Sequence, residues 1–140
     1  MNTKTLLAAL VGAVVAFLCG FLIYGMLLET FMKENMNQCA SLPMKEMNMV
    51  LMILANLVSG LVMALILSWA GVTTLMGGLT KGAIIGFMYS LCWGLMMLSM
   101  TTMYNNTTAF VVDVLVGMVM SGLIGGAVGW MLGRGKTAGA

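Results

Sequence analysis

The sequence predicts an all-α integral membrane protein: a four-helix transmembrane bundle with helices at about 5–36, 43–70, 75–104 and 109–133. Three observations predict it. Of 140 residues, 61% are hydrophobic and 7% are charged, whereas a soluble domain carries about 25% charged residues. That much apolar surface needs lipid as its solvent. The apolar residues fall into four runs, each near or above the roughly 20 residues that cross a hydrocarbon core. Each run also carries small residues at spacing four, which lets helices approach closely where lipid removes the hydrophobic drive between them.

The first helix carries no charge from Thr5 to Leu28, and its small residues are Ala8, Gly12, Ala16 and Gly20. The run is too long for the h-region of a cleaved signal, about 7–15 residues, and reads as a retained span. Glu29 and Lys33 extend the helix as an i,i+4 pair in the favourable order. A polar loop follows, holding Cys39, Ser41 and the one proline, Pro43. Proline is tolerated in a helix's first turn because its missing donor would be unpaired there, so the second helix is expected to start near Pro43. Its set is Asn56, Gly60, Ala64 and Ser68, with Asn56 near mid-span and expected to face another helix.

Residues 71–74 form a tight turn in which Thr73 or Thr74 can cap the next helix. The third helix carries the ladder Gly78, Gly82, Gly86, Ser90, Gly94, with Lys81 able to snorkel to the interface. Tyr89 and Trp93, one turn apart, are expected to fill the space opened by glycines opposite. After the polar turn 105–108, the fourth helix reads Asp113, Gly117, Ser121, Gly125, Gly129, Gly133 at every fourth position. A strict four-spacing drifts by about 40° per rung on a 3.6-residue helix, which suits helices that cross at an angle. The drift predicts Gly117 and Ser121 inside the bundle and Gly125 to Gly133 at a subunit interface. The chain is thus one transmembrane domain, 1–140, ending in a short basic tail, 134–140.

Orientation follows from the basic residues. Lys4, Lys81, Arg134 and Lys136 share one side; Lys33 and Lys45 share the other. Four against two predicts N-in and C-in, with Trp69 and Trp130 at the inner interface and Tyr104 at the outer one.

The run Gly20-Phe-Leu-Ile-Tyr24-Gly-Met-Leu-Leu28-Glu-Thr-Phe31-Met32-Lys33 resembles the opening signature of a family of small bacterial membrane proteins. The family is catalogued as a domain of unknown function, number seventeen sixty-one. Its members typically read Gly-x-x-Trp-Tyr-Ser-Pro-Leu-Leu-Phe-Gly-x-x-Trp-Met-Lys. The matches are Gly20, Tyr24, Leu28, Met32 and Lys33, with Phe31 in place of the second Trp. The chain departs at Ile23, Gly25 and Met26. The 71–74 turn and the glycine-rich fourth helix also resemble the family. The resemblance implies a four-helix membrane protein with no established activity; the expected location is the cell (inner) membrane, crossed several times.

The one intramembrane acid is Asp113, and such groups are costly and need partners. Tyr24, Thr101, Thr102 and Lys45 are expected at its level. Together they would make either a proton or cation site or a structural knot. The 18 methionines include Met32, Met36, Met96, Met97, Met100 and Met103 near the outer face, around Cys39. Thioethers with a thiolate select Cu(I), but methionine is also adaptable apolar filler. Cys19 and Cys92 are expected to be buried thiols. The chain has no histidine, no paired intramembrane carboxylates and no nucleotide loop. The expectation is therefore no enzyme, no cofactor and no metal. The small net charge of +2 makes no nucleic-acid footprint. The expected partners are the lipid bilayer and either further copies of the chain, as a homo-oligomer, or other membrane subunits. The topology has a direct test: Cys39 should react with a membrane-impermeant thiol reagent in intact cells while Cys19 and Cys92 do not. Labelling of Cys39 only after lysis would invert the orientation.

Overall fold

The computed structural model describes residues 3–37 and 48–134. The described residues form α1 (Thr3–Leu22), a π-helical segment (Ile23–Leu27), α2 (Glu29–Asn35), α3 (Met49–Trp69), α4 (Leu75–Met100) and α5 (Thr107–Gly133). Four helices are long and apolar enough to span a membrane: Thr3–Leu27, Met49–Trp69, Leu75–Met100 and Thr107–Gly133. With four spans, Thr3 and Arg134 lie at one end of the bundle. Leu28 to Asn37 and the 101–106 turn lie at the other.

Several boundaries differ from the sequence reading. The first helix is not continuous to residue 36. It widens to i→i+5 geometry at Ile23–Leu27 and breaks at Leu28 (φ −108°, ψ 2°) before α2 begins. Gly25 sits in this stretch, and glycine weakens commitment to α geometry by about 1 kcal/mol. The second span starts at Met49, where the Asn48 side chain accepts from Val50 N at 3.1 Å and Leu51 N at 3.2 Å; the expected start at Pro43 lies outside the described residues. The third span stops at Met100, four residues early, because Thr101 adopts extended geometry (φ −138°, ψ 161°). The turn before α4 is as expected. Gly71 takes φ +67°, a region that glycine enters without steric cost, and Thr74 caps α4 by accepting from Gly77 N at 3.0 Å.

The helices pack in the order α3, α1, α5, α4, with α5 also touching α3, and α3 meeting α4 only weakly. The α4–α5 pair is the most extensive, and its two small-residue ladders interlock in antiparallel register. A Cβ on Gly82 would stand 2.5 Å from the Ser121 carbonyl oxygen and 2.9 Å from Gly125 Cα. One on Gly129 would stand 2.5 Å from the Thr74 carbonyl oxygen and 2.9 Å from Gly78 Cα. Gly78 and Gly125 abut each other's carbonyl oxygens, Gly86 abuts Ser121, Gly117 abuts Ser90, and Gly133 abuts Thr73. No side chain fits at these crossings.

This corrects the expected subunit interface. Gly125 and Gly129 face α4 of the same chain, and Gly133 faces Thr73 in the turn that leads into it. The drift of a four-spaced ladder does not turn the late rungs away, because α4 carries the same spacing and the crossing keeps the two in step. Two proposed rungs do less. Gly94 meets the Phe110 ring instead of backbone, and Gly20 has only Met120 Cε at 3.9 Å.

A second crossing joins α1 to α3. A Cβ on Gly60 would overlap the Ala9 carbonyl oxygen and stand 2.5 Å from Ala13 N. Gly12 receives Val128 of α5 on the same stretch and stands against Gly60. The core gathers there: Ala8, Ala64, Leu67 and Val128 are fully buried, with Ala16 close to it. Asn56 is half-buried and returns its amide to the Met52 carbonyl at 2.8 Å, so it satisfies itself on its own helix beside a groove lined by α1 residues Leu10, Ala13 and Phe17. Tyr89 and Trp93 do not fill a glycine gap; they are 70% and 47% exposed, because the ladder closes α4 onto α5 backbone to backbone. Cys19 is half-buried and Cys92 exposed, so only the first approaches the expected burial.

Gly82→Leu and Gly125→Leu should each destabilise the folded monomer by about 1–3 kcal/mol or more, the cost of overpacking a tight site. Gly126→Leu should be milder, since a Cβ there meets Leu79 Cβ at an ordinary 3.5 Å. Thermal unfolding in mild detergent, read with size-exclusion profiles, checks this. Loss of an oligomer with an intact monomer would contradict the internal placement.

Candidate functional site

The site is built at the end of the bundle away from the termini, around Asp113. Asp113 is the seventh residue of α5, so its Cα lies about 9 Å along the helix at 1.5 Å per residue. It is half-buried. Two phenols reach it from different elements: Tyr24 Oη donates to Oδ1 at 2.8 Å and Tyr104 Oη donates to Oδ2 at 2.8 Å. Each carboxylate oxygen thus holds one strong donor.

Tyr24 is presented by the π-helical segment. There the Leu28 N–H donates to the Ile23 carbonyl at 2.8 Å, an i→i+5 bond that gives the turn an extra residue. Such π-turns are frequent at functional sites.

Tyr104 is presented by the turn between α4 and α5. It forms an antiparallel bridge with Met36, in which Asn37 N donates to the Met103 carbonyl at 2.8 Å and Asn105 N donates to the Asn35 carbonyl at 3.0 Å. Asparagine side chains tighten it. Asn37 Nδ2 donates to the Thr102 carbonyl at 2.7 Å and Asn106 Nδ2 to Asn35 Oδ1 at 2.7 Å. Asn106 also caps α5, its Oδ1 accepting from Ala109 N at 2.8 Å. The end of α2 is therefore clamped to the 101–106 turn. Tyr104 itself is buried, with 8% exposure, and its ring stands edge-on to Phe110 at 5.8 Å and 75°. Phe110 in turn occupies the space that Gly94 leaves open.

Burial first, and then the hydrogen bond to Asp113 and its charge, push the Tyr104 phenol well above its ordinary value. It stays a donor throughout the neutral range.

Of the residues expected at this level, Tyr24 is present. Thr101 and Thr102 are not: the early end of α4 turns them outward. Thr101 Oγ1 donates to the Met97 carbonyl at 2.8 Å, and Thr102 offers only its backbone carbonyl, to Asn37. Lys45 and Cys39 lie outside the described residues. Tyr104 was expected in an interfacial aromatic belt and is instead buried on the carboxylate. The missed signal is local: Asn106 before the run 107–110 is an N-cap pattern, which ends the preceding helix early and frees Tyr104 to fold back. Among the described residues, no group of three or more Cys, Asp or Glu side chains gathers as a metal site would require.

At the opposite end, among the described residues, the exposed Glu29–Lys33 pair of α2 has no counterpart; Lys81 Nζ donates to the Ala70 carbonyl at 3.1 Å at the end of α3, and Arg134 stacks over the Trp130 ring at 4.2 Å. No protein-family model, curated protein or solved structure matches the chain.

Tyr104→Phe should cost about 1.5–3 kcal/mol, the usual worth of a hydrogen bond to a charged group. The pH dependence has a defined sign. A raised folded-state pKa means stability is fully present below the unfolded tyrosine value of 10.0 and falls as pH rises above it. The alkaline fall should be shallower in Tyr104→Phe. Thermal unfolding between neutral pH and pH about 11 checks both.

Proposed function

We propose that the chain works without enzymatic activity, as a small subunit of an inner-membrane assembly, in several copies or beside other membrane proteins. The observation that carries this reading is the exposed aromatic pair of α4. Tyr89 lies near the middle of a 26-residue span and Trp93 one turn further on, 70% and 47% exposed. Their polar atoms make no side-chain hydrogen bond among the described residues. Tyrosine and tryptophan facing lipid belong at the two interfaces, where their polar ends meet water. At mid-span a neighbouring protein would provide the hydrogen-bond acceptor that lipid tails lack. Two further features support the reading. The small-residue ladders are consumed within the chain, so any assembly must use other faces, and α4 is covered chiefly by α5 alone. The N-in, C-in orientation belongs to the same proposal and rests on the excess of basic residues at the end that holds the termini.

A second reading has its own observation. Asp113 is half-buried, faces no basic side chain among the described residues, and is held beside a π-helical turn. That is the setting of a proton or cation site in a small transporter or channel. In the first reading the two phenols and the carboxylate are a staple that joins α1, α5 and the 101–106 turn.

One experiment separates them. A photo-crosslinking residue at position 89 should capture a second membrane protein or a second copy in native membranes, while one at Val58, on α3, should not. Adducts with lipid alone at position 89 would refute the assembly reading. Asp113→Asn should leave that crosslink intact; loss of cation or proton flux in proteoliposomes, with the crosslink retained, would promote the transport reading instead.

A further inference from the structure

Asn56 and Tyr89 stand at the same depth in the bundle. The tight turn after Trp69 brings the neighbouring ends of α3 and α4 to one level. Asn56 precedes Trp69 at the end of α3 by 13 residues, and Tyr89 follows Leu75 at the start of α4 by 14. At 1.5 Å per residue both stand about 20 Å from that level. Ile53 and Cys92 lie three residues further out on the same helix faces, so they match in depth as well.

The two side chains are also complementary. Asn56 uses its amide nitrogen on the Met52 carbonyl at 2.8 Å, while its Oδ1 accepts from no described residue. Among the described residues no sealed side-chain oxygen lacks a partner, so this one opens onto the surface of the bundle. Tyr89 is exposed, and its hydroxyl is a donor without an acceptor. Hydrocarbon offers neither group a partner. Beside Asn56 the seam between α1 and α3 opens into an apolar groove of about 330 Å³, walled by Leu10, Ala13, Phe17, Ile53 and Leu57. That is roughly ten times the 30 Å³ one water takes in the liquid, which leaves room for an aromatic ring. Within one chain the pair does not meet, because α3 and α4 stand at opposite ends of the packing order and touch only weakly.

We propose that this groove receives Tyr89 of a second copy of the chain. The phenol donates to Asn56 Oδ1, and Trp93 lies over the outer part of the groove, beside Ile53. The inference rests on the assembly reading above and names the partner. Copies inserted in one orientation hold the α4 donor and the α3 acceptor at matching depth by construction. The two faces differ, so the contact runs head to tail and repeats from copy to copy, closing as a ring where the rotation allows. Each site is then built half from one copy and half from the next.

The test uses the full chain in native membranes. Ile53→Cys, combined with Cys19→Ser and Cys39→Ser and keeping Cys92, should form disulfides between chains under a membrane-permeant oxidant. The product should be a ladder of multimers that Cys92→Ser abolishes. In liposomes, energy transfer between labelled copies should show Tyr89→Phe and Asn56→Leu each weakening association about three- to tenfold, the usual worth of a hydrogen bond between membrane helices. The double variant should lose no more than either single one, as two halves of one bond do. Val58→Leu, about 200° around α3 from Asn56, should change nothing. A dimer through Cys92 without Ile53→Cys would mean that α4 packs on α4 and would overturn the proposal, as would additive losses in the double variant. Capture of a different membrane protein from position 89, with no link from Ile53→Cys, would overturn it while leaving the assembly reading intact. Lipid adducts alone at position 89 would remove both.

Discussion

Everything in this fold depends on how closely two backbones can approach. Inside lipid an apolar side chain gains little by leaving its neighbours for another helix, so attraction between spans comes from van der Waals contact and polar contacts. The α4–α5 pair meets that constraint by removing side chains altogether. From Gly78 to Gly86 on one helix and from Gly117 to Gly133 on the other, each rung stands against backbone or a serine. The α1–α3 crossing repeats the solution more briefly, with Gly60 against Ala9 and Ala13. The two crossings meet through α1 and α5, where Gly12 admits Val128 and the largest fully buried side chains among the described residues, Leu67 and Val128, close the core.

Such packing has no way to relieve a side chain at the crossing, and it also gives the molecule two different ends. Where the ladder is tightest, near Thr73 and Thr74, the helices are held by backbone contact and by Lys81 reaching the end of α3. At Gly94 the ladder stops and α5 stands off α4 by the thickness of the Phe110 ring. Polar chemistry takes over there. One carboxylate and two phenols join three elements, and a set of asparagines ties α2 to the 101–106 turn. Two hydrogen bonds to a carboxylate, in a setting drier than water, are worth more than surface pairs such as Glu29–Lys33, which is exposed on both sides and contributes little.

The polar inventory is therefore sorted by end. Acidic and amide groups cluster beside Asp113, and basic groups cluster beside the termini. Between them the surface is apolar apart from a few residues, among them Tyr89 near mid-span and Trp93 one turn further on, both exposed. A membrane protein with so few polar groups places nearly all of them where water or an interface can reach; Tyr89 and Trp93 depart from that pattern, which is the ground of the assembly proposal.

The sequence by itself determined the class and the architecture. Four apolar runs, few charges and a repeat of small residues admit only helices that cross a membrane, because every backbone group in lipid must be satisfied within its own segment. It also determined the 71–74 turn, with the cap left between Thr73 and Thr74, and put Tyr24 at the level of Asp113, since both depend on residues whose place along the chain is set by counting. What tertiary structure decided was which ladder faces which. A four-spaced stripe is equally suited to a partner in the same chain or in another, and only the crossing of α4 over α5 assigns Gly125 to Gly133 to the interior. It also decided the second donor on the carboxylate. Tyr104 lies beyond the end of its helix, so no periodicity places it. Its position comes from the backbone bridge to Met36 and the asparagines that hold it, contacts between segments about 70 residues apart that no local pattern encodes.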